Sequence, residues 1–226
     1  MDLPTPHRAM DNPLTHSNLE ELQVRTIILV VMMISLAQAG GSTTAVPIQD
    51  LKVPVGRYSI VQAESSISVQ VFKTGALSFL TRDHNMAVGN FSGAIAVTAN
   101  GTQSTGTLEA SSASLWVTDK ISESDKREIN STMRDTVLEA AKFPRIAFQA
   151  SGQPSGNFNL TGDLTLHGVT KRISLPVVAT WDTRRIRLTG KYILKQTDFG
   201  ITPYSTAGGT VRIKNEVEIR FSVIAK

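Results

Sequence analysis

Two histidines, His84 and His167, and the carboxylates near them are the side chains of this chain best suited to chemistry. Asp83 directly precedes His84, a pair that could work as orienter and base, and the two imidazoles could serve as metal ligands. Neither reading gathers support. A catalytic zinc takes three protein ligands, whereas the chain has no cysteine and its other histidines, His7 and His16, lie in an N-terminal leader. His84 and His167 stand on separate segments, without H-x-H or H-x-x-x-H spacing. Serine is abundant, but no G-x-S-x-G elbow marks a nucleophile. Asp163 and His167 share one strand face four residues apart, about 13 Å, too far for a dyad. Each is better placed to hydrogen-bond backbone and pin a turn. These residue types point away from an enzyme, and away from a metal or other cofactor.

The elements that carry these residues are strands. Across Asn159–Leu175, Leu160, Leu164 and Leu166 alternate with Thr161, Asp163, Thr165 and His167. This is the period-2 signature of a sheet with two unlike faces. The alternation breaks at Gly168 and resumes at Ile173 and Leu175, which predicts a tight hairpin. Ile67, Val69 and Val71 form an earlier strand. Phe91, Gly93, Ile95 and Val97 form another, ended by the hairpin signal Asn100-Gly101 and partnered by Thr107–Val117. Ile146 and Phe148 lie in a short strand before a turn at Ser151–Gly156. Ile186, Leu188, Tyr192 and Leu194 share one parity. The last strand is the plainest, with Val211, Ile213, Val217, Ile219, Phe221 and Val223 facing opposite to Arg212, Lys214, Glu216, Glu218 and Arg220.

One segment breaks the pattern. Between Ser124 and Lys142, Ile129, Met133, Val137 and Ala141 recur every fourth residue, an apolar helical stripe. Ser122 or Ser124 can cap it, Asn130-Ser131 can divide it, and Phe143-Pro144 stops it. Many strands with one helical insert and no βαβ alternation favour a closed antiparallel barrel.

The chain has 226 residues and a formal charge of +4, with 41% hydrophobic and 6% aromatic residues. That length suits one domain and a leader. No basic stripe interleaves with aromatics, which argues against a nucleic-acid partner. The missing cysteine excludes disulfides and a lipidated N-terminus. Arg25, the apolar run Ile27–Ile34 and the small-x-small end Ala37-Gln38-Ala39 read as an export signal over 1–39, with a long n-region holding Asp2, Asp11, Glu20 and Glu21. Cleavage near Ala39 places the mature protein in the periplasm or outside the cell. Residues 40–56, rich in Gly, Ser, Thr and Pro, read as a lead-in, and 57–226 as the barrel.

Several blocks together resemble one family. Gly162-Asp163-Leu164-Thr165-Leu166-His167-Gly168-Val169-Thr170-Lys171 is similar to the G-D-L-T-[IL]-H-G-V-T-[KR] hallmark of the YceI-like family. In the expected order stand Leu80–His84, Val88–Gly93, Lys142–Phe148 and Thr197–Ile201. Two departures are Gln196-Thr197, where an Arg is common, and Gly89-Asn90, which changes the usual spacing and charge. The resemblance implies an all-β, eight-stranded lipocalin-like barrel that binds a long-chain isoprenoid lipid, a polyisoprenoid or quinone, and stores or transports it in the cell envelope. It also implies transient membrane contact and leaves a homodimer open.

An eight-stranded barrel is just wide enough for one slim ligand. The inward candidates for a lipid-binding wall are Val69, Val71, Phe91, Gly93, Ile95, Phe148, Gly162, Leu164, Leu166, Ile173, Leu188, Gly190, Tyr192, Phe199, Val217 and Phe221. Small residues among them (Gly93, Gly162 and Gly190, with Ala94) are expected to leave the room. Arg82, Asp83 and His84 are the candidates for the mouth and headgroup. Three other readings stay open: a stress protein scavenging other amphiphiles, a packed-barrel interaction module, and an enzyme built on His84.

Overall fold

The computed structural model describes residues 53–76, 83–182 and 184–226. The export signal, most of the lead-in, and Arg82 lie outside these residues. The end of the lead-in is packed: Val53 is buried against Ile95, Val97, Ile186 and Ala225.

Twelve strands are described, and every pairing among them is antiparallel. They are β1 (Gly56–Ser59), β2 (Ser66–Thr74), β3 (His84–Val88), β4 (Phe91–Thr98), β5 (Gln103–Ser111), β6 (Leu115–Val117), β7 (Arg145–Gly152), β8 (Gly156–Leu166), β9 (Val169–Asp182), β10 (Arg185–Lys195), β11 (Ser205–Thr206) and β12 (Val211–Ala225). The hydrogen-bonded path runs β1-β4-β5-β7-β8-β9-β10-β12-β2-β3-β6, with β11 beside β12. Two strands bend rather than end. β3 runs into β4 through Gly89-Asn90, and β5 runs into β6 through the 3₁₀ turn Ser112–Ser114. The expected single strand Thr107–Val117 is therefore broken at that bend. With each bent pair taken as one stave, the strongly curled sheet meets itself and has the expected eight staves. Short β1 staples the seam at one end: it pairs with β4, while Ser59 and Lys226 exchange both backbone bonds, at 2.7 and 2.9 Å.

Two apolar clusters fill the ends of the barrel. At the β1 end, Val53, Ile95, Val97, Ile186 and Ala225 are packed by Tyr58, Ile60, Trp181 and Leu188. At the other end, Met86, Val117, Leu194, Phe199 and Ile201 meet the helical insert through Met133 and Leu138. The insert starts as expected: α1 (Glu123–Ser131) is capped by Ser122, whose side chain accepts the Asp125 N–H at 3.1 Å. It continues as a π-helical turn, Thr132–Val137, and stops there, five residues short of the expected Lys142. The apolar stripe of Ile129, Met133 and Val137 faces the cluster as read, but Ala141 is exposed. Asn130 does not simply divide the helix. Its Oδ1 accepts the Val117 N–H at 2.8 Å and ties the insert to β6.

The early stop has a cause in the hallmark hairpin. Its two turn residues, His167 (φ 51°) and Gly168 (φ 75°), both take the left-handed conformation of a type I′ turn, whose twist suits β8 and β9. The His167 ring sits 4.1 Å from that of Phe143, and its Nε2 lies 2.9 Å from Glu139 Oε2. Glu139 itself has φ 42°, and its carbonyl accepts the N–H groups of Lys142 and Phe143. The chain thus turns at Glu139 to present Phe143 to the hairpin. Asp163 and His167 pin the region through side chains rather than through backbone: Asp163 lies 3.6 Å from Arg172 across the strands. A Cβ on Gly168 would fall 2.7 Å from the Phe143 ring, in a conformation unfavourable to L side chains. Gly168→Ala is expected to lower stability by about 1–3 kcal/mol, read as a lower urea midpoint with unchanged slope.

Candidate functional site: an apolar cavity in the barrel

Between the two end clusters the barrel is hollow. The cavity measures about 300 Å³, within the range of small-molecule sites. Alternation along each stave builds its wall: Ile67, Val69 and Val71 of β2 and Val217, Ile219, Phe221 and Val223 of β12 all point in. So do Ile95, Phe148, Leu164, Leu166, Ile173, Leu188 and Tyr192, each named from the sequence as an inward candidate. Several of these apolar side chains stay only half-buried, although they face the inside of the molecule. They border empty space, which a packed barrel would have filled. Met133, Val137 and Leu138 of the insert roof one end of this space.

Five inward candidates do not line it. Phe91 is buried where β3 bends into β4, beside an outer groove with Asn90, Glu109 and Arg145. Phe199 is buried at the end of a 3₁₀ turn, in the cluster beside the insert, rather than in the cavity wall. Gly93, Gly162 and Gly190 have the inward parity expected of them, but they do not create the room. Ile60 covers Gly93, the Phe148 ring covers Gly162, and the Phe221 ring covers Gly190, each close enough to meet a Cβ built there. Their missing side chains admit a neighbour, not a ligand.

One open stretch of the wall lies at a residue that the sequence reading passed over. Gly106 of β5 lies opposite Ile95 on one side and Ala150 on the other, and Ala150 lies opposite Gly162. This row of small residues crosses three staves. A Cβ on Gly106 would meet only the Ala94 carbonyl, at 4.0 Å, so its inner side is open. The parity of Ser104, Gly106, Leu108 and Ala110 was the signal that could have found it.

The polar candidates stand at the end of β3. Arg82 lies outside the described residues. Asp83 is exposed, and its Oδ1 accepts the Lys73 N–H at 2.9 Å. His84 pairs across the ladder with Val71 and so shares the inner face, one step beyond Met86, but it is not part of the cavity wall. Its Nδ1 lies 2.7 Å from Asp119 Oδ2, a partner the sequence reading did not foresee. Asn85 donates its backbone and side-chain N–H groups to the other oxygen of that carboxylate, both at 3.2 Å. Burial works against the Asp119 charge, yet the bonds from His84 and Asn85 outweigh it and hold the carboxyl below its ordinary value. Burial lowers the Lys73 ammonium, against the pull of Asp83 and Asp119. His84 and His167 thus have separate carboxylate partners, and among the described residues no group of three or more acidic or histidine side chains is placed to hold a metal.

A depressed carboxyl contributes stability above its ordinary value and loses it as the pH falls through the lowered one. The stability difference between wild type and Asp119→Asn is therefore expected in full at neutral pH and to shrink as the pH drops below 3.8, measured by urea unfolding across pH.

Comparison with known proteins supports the architecture. The family model of the YceI-like domain matches residues 58–225. Among solved structures, Burkholderia cenocepacia BcnA is similar, with a TM-score of 0.58 and 19% identity over 74% of this chain and 99% of that one. A polyisoprenoid binding domain from Saccharophagus degradans, described as implicated in plant cell wall breakdown, has a TM-score of 0.57 and 16% identity over 76% of this chain and 99% of that one. No curated protein sequence matches. At these identities the neighbours share the fold, and the family match spans nearly all of the curled sheet. The chain belongs to the YceI-like domain family.

Proposed function

We propose that this protein binds an isoprenoid-type lipid, a polyisoprenoid or a quinone, non-covalently in the barrel cavity, and stores or transports it in the cell envelope. The observation that carries this reading is the hollow interior, whose inward apolar side chains are left half-buried. A hydrocarbon chain would cover them, each buried CH₂ contributing about 0.8 kcal/mol. The Saccharophagus neighbour, a polyisoprenoid binding domain, supports the same ligand class. The export signal read over 1–39 supports a periplasmic or secreted location, and transfer between membranes would require transient membrane contact. The binding reading draws on the cavity and leaves His84 aside, since His84 is held by Asp119 outside the cavity wall.

Native mass spectrometry of the protein from its own envelope, followed by organic extraction, tests the reading. The expected result is a discrete added mass that extracts as a polyisoprenoid or quinone; a clean apo mass would count against it. Gly106→Phe, which fills the open side of the small-residue row, is expected to lower lipid occupancy several-fold while the melting temperature holds or rises. Undiminished occupancy in that variant would remove the cavity as the binding site.

A further inference from the structure

Within the cavity wall, one buried polar side chain has an unused hydrogen-bonding atom. Gln196 follows β10 on the parity of Tyr192 and Leu194, is 7% exposed, and lines the cavity near Leu194, Ile201 and Val217. Its Nε2 donates to the Lys214 carbonyl at 2.8 Å. That bond fixes the amide orientation, because a carbonyl can only accept. The Oε1 accepts no hydrogen bond from a described residue. Among the described residues no sealed side-chain nitrogen or oxygen lacks a partner, and Gln196 borders the cavity. Ser104, the other buried polar side chain of the wall, has its hydroxyl bonded to the Gly152 carbonyl. Among the described residues no lysine, arginine or acidic side chain lines the cavity.

From this we infer that Gln196 is the headgroup site and that it selects a lipid ending in a hydroxyl. The inference rests on the lipid-binding reading and deepens it. A hydroxyl, whether of a prenol or of a prenylated hydroquinone, donates to Oε1 and leaves no polar atom unpaired. A quinone carbonyl would set lone pairs against lone pairs, and a phosphate would bury its charge with no cation in the wall to meet it. The headgroup then lies at the end roofed by the insert, and the isoprenoid chain runs toward Phe158 and the β7–β8 turn. Asp83, exposed at the end of β3, is not the headgroup contact.

The test uses purified protein stripped of lipid and titrated with four probes of equal chain length: geranylgeraniol, geranylgeranyl monophosphate, a geranylgeranyl hydroquinone and its quinone. The alcohol is expected to bind about tenfold tighter than the phosphate, and the hydroquinone about tenfold tighter than the quinone, as one satisfied against one unsatisfied hydrogen bond implies. Whichever hydroxyl ligand binds more tightly names the source. Gln196→Met is expected to erase the hydroquinone-over-quinone ratio while still binding the chain, and to leave the phosphate disfavoured, because it brings no cation to the wall. Equal or reversed ratios in the wild type would overturn the inference without any variant, and so would a hydroquinone-over-quinone ratio unchanged in Gln196→Met. Failure of all four probes to bind the wild type would instead remove the lipid-binding reading on which the inference stands.

Discussion

A barrel that leaves its middle unfilled has to be held by its backbone ladder and by its two ends. Here each stave is bonded on both sides along part of its length, and β1 secures the seam where β4 and the end of β12 approach. Curling the sheet pairs backbone groups without a filled core, because the bonds run between staves rather than across the barrel. The apolar packing that most small domains place at their centre is moved to the two end clusters. Everything else in the molecule serves that division, from the helical insert over one end to Val53, Tyr58 and Trp181 at the other.

Several inward positions of the staves are glycines, and the structure shows how their lost side chains are replaced. Phe148 lies over Gly162, Phe221 over Gly190, and Phe158 with Leu160 over Gly152. A ring laid over a cross-strand glycine restores the apolar contact that the bend gives up. Gly106, unlike Gly93, Gly152, Gly162 and Gly190, has no such cover, and the cavity opens beside it.

The strands were legible because alternation is local: β8, β10 and β12 show in sequence the two faces they have in the fold. Inward parity was legible too, and it holds for Gly162 and Gly190. Their effect on the interior was not, since it depends on rings that belong to other strands. The helical stripe was read correctly at Ile129 and Met133, but its end was not, because the turn at Glu139 is set by His167 and Phe143. The pairs His84–Asp119 and Asn130–Val117 join segments that no pattern in sequence connects. What escaped the sequence were contacts between elements, while the elements themselves were largely visible.

The seam between β2 and β12 also governs how this architecture is reached. Val71 meets Val217 and Ile67 meets Phe221, partners at opposite ends of the domain, whereas β8 with β9 and β4 with β5 are hairpins. The entropy of bringing segments together grows with the chain between them, so hairpins can assemble early and the seam is costlier to nucleate. The barrel is thus an open, curling sheet until its most distant strands meet, and its rate of completion is a property of that single ladder.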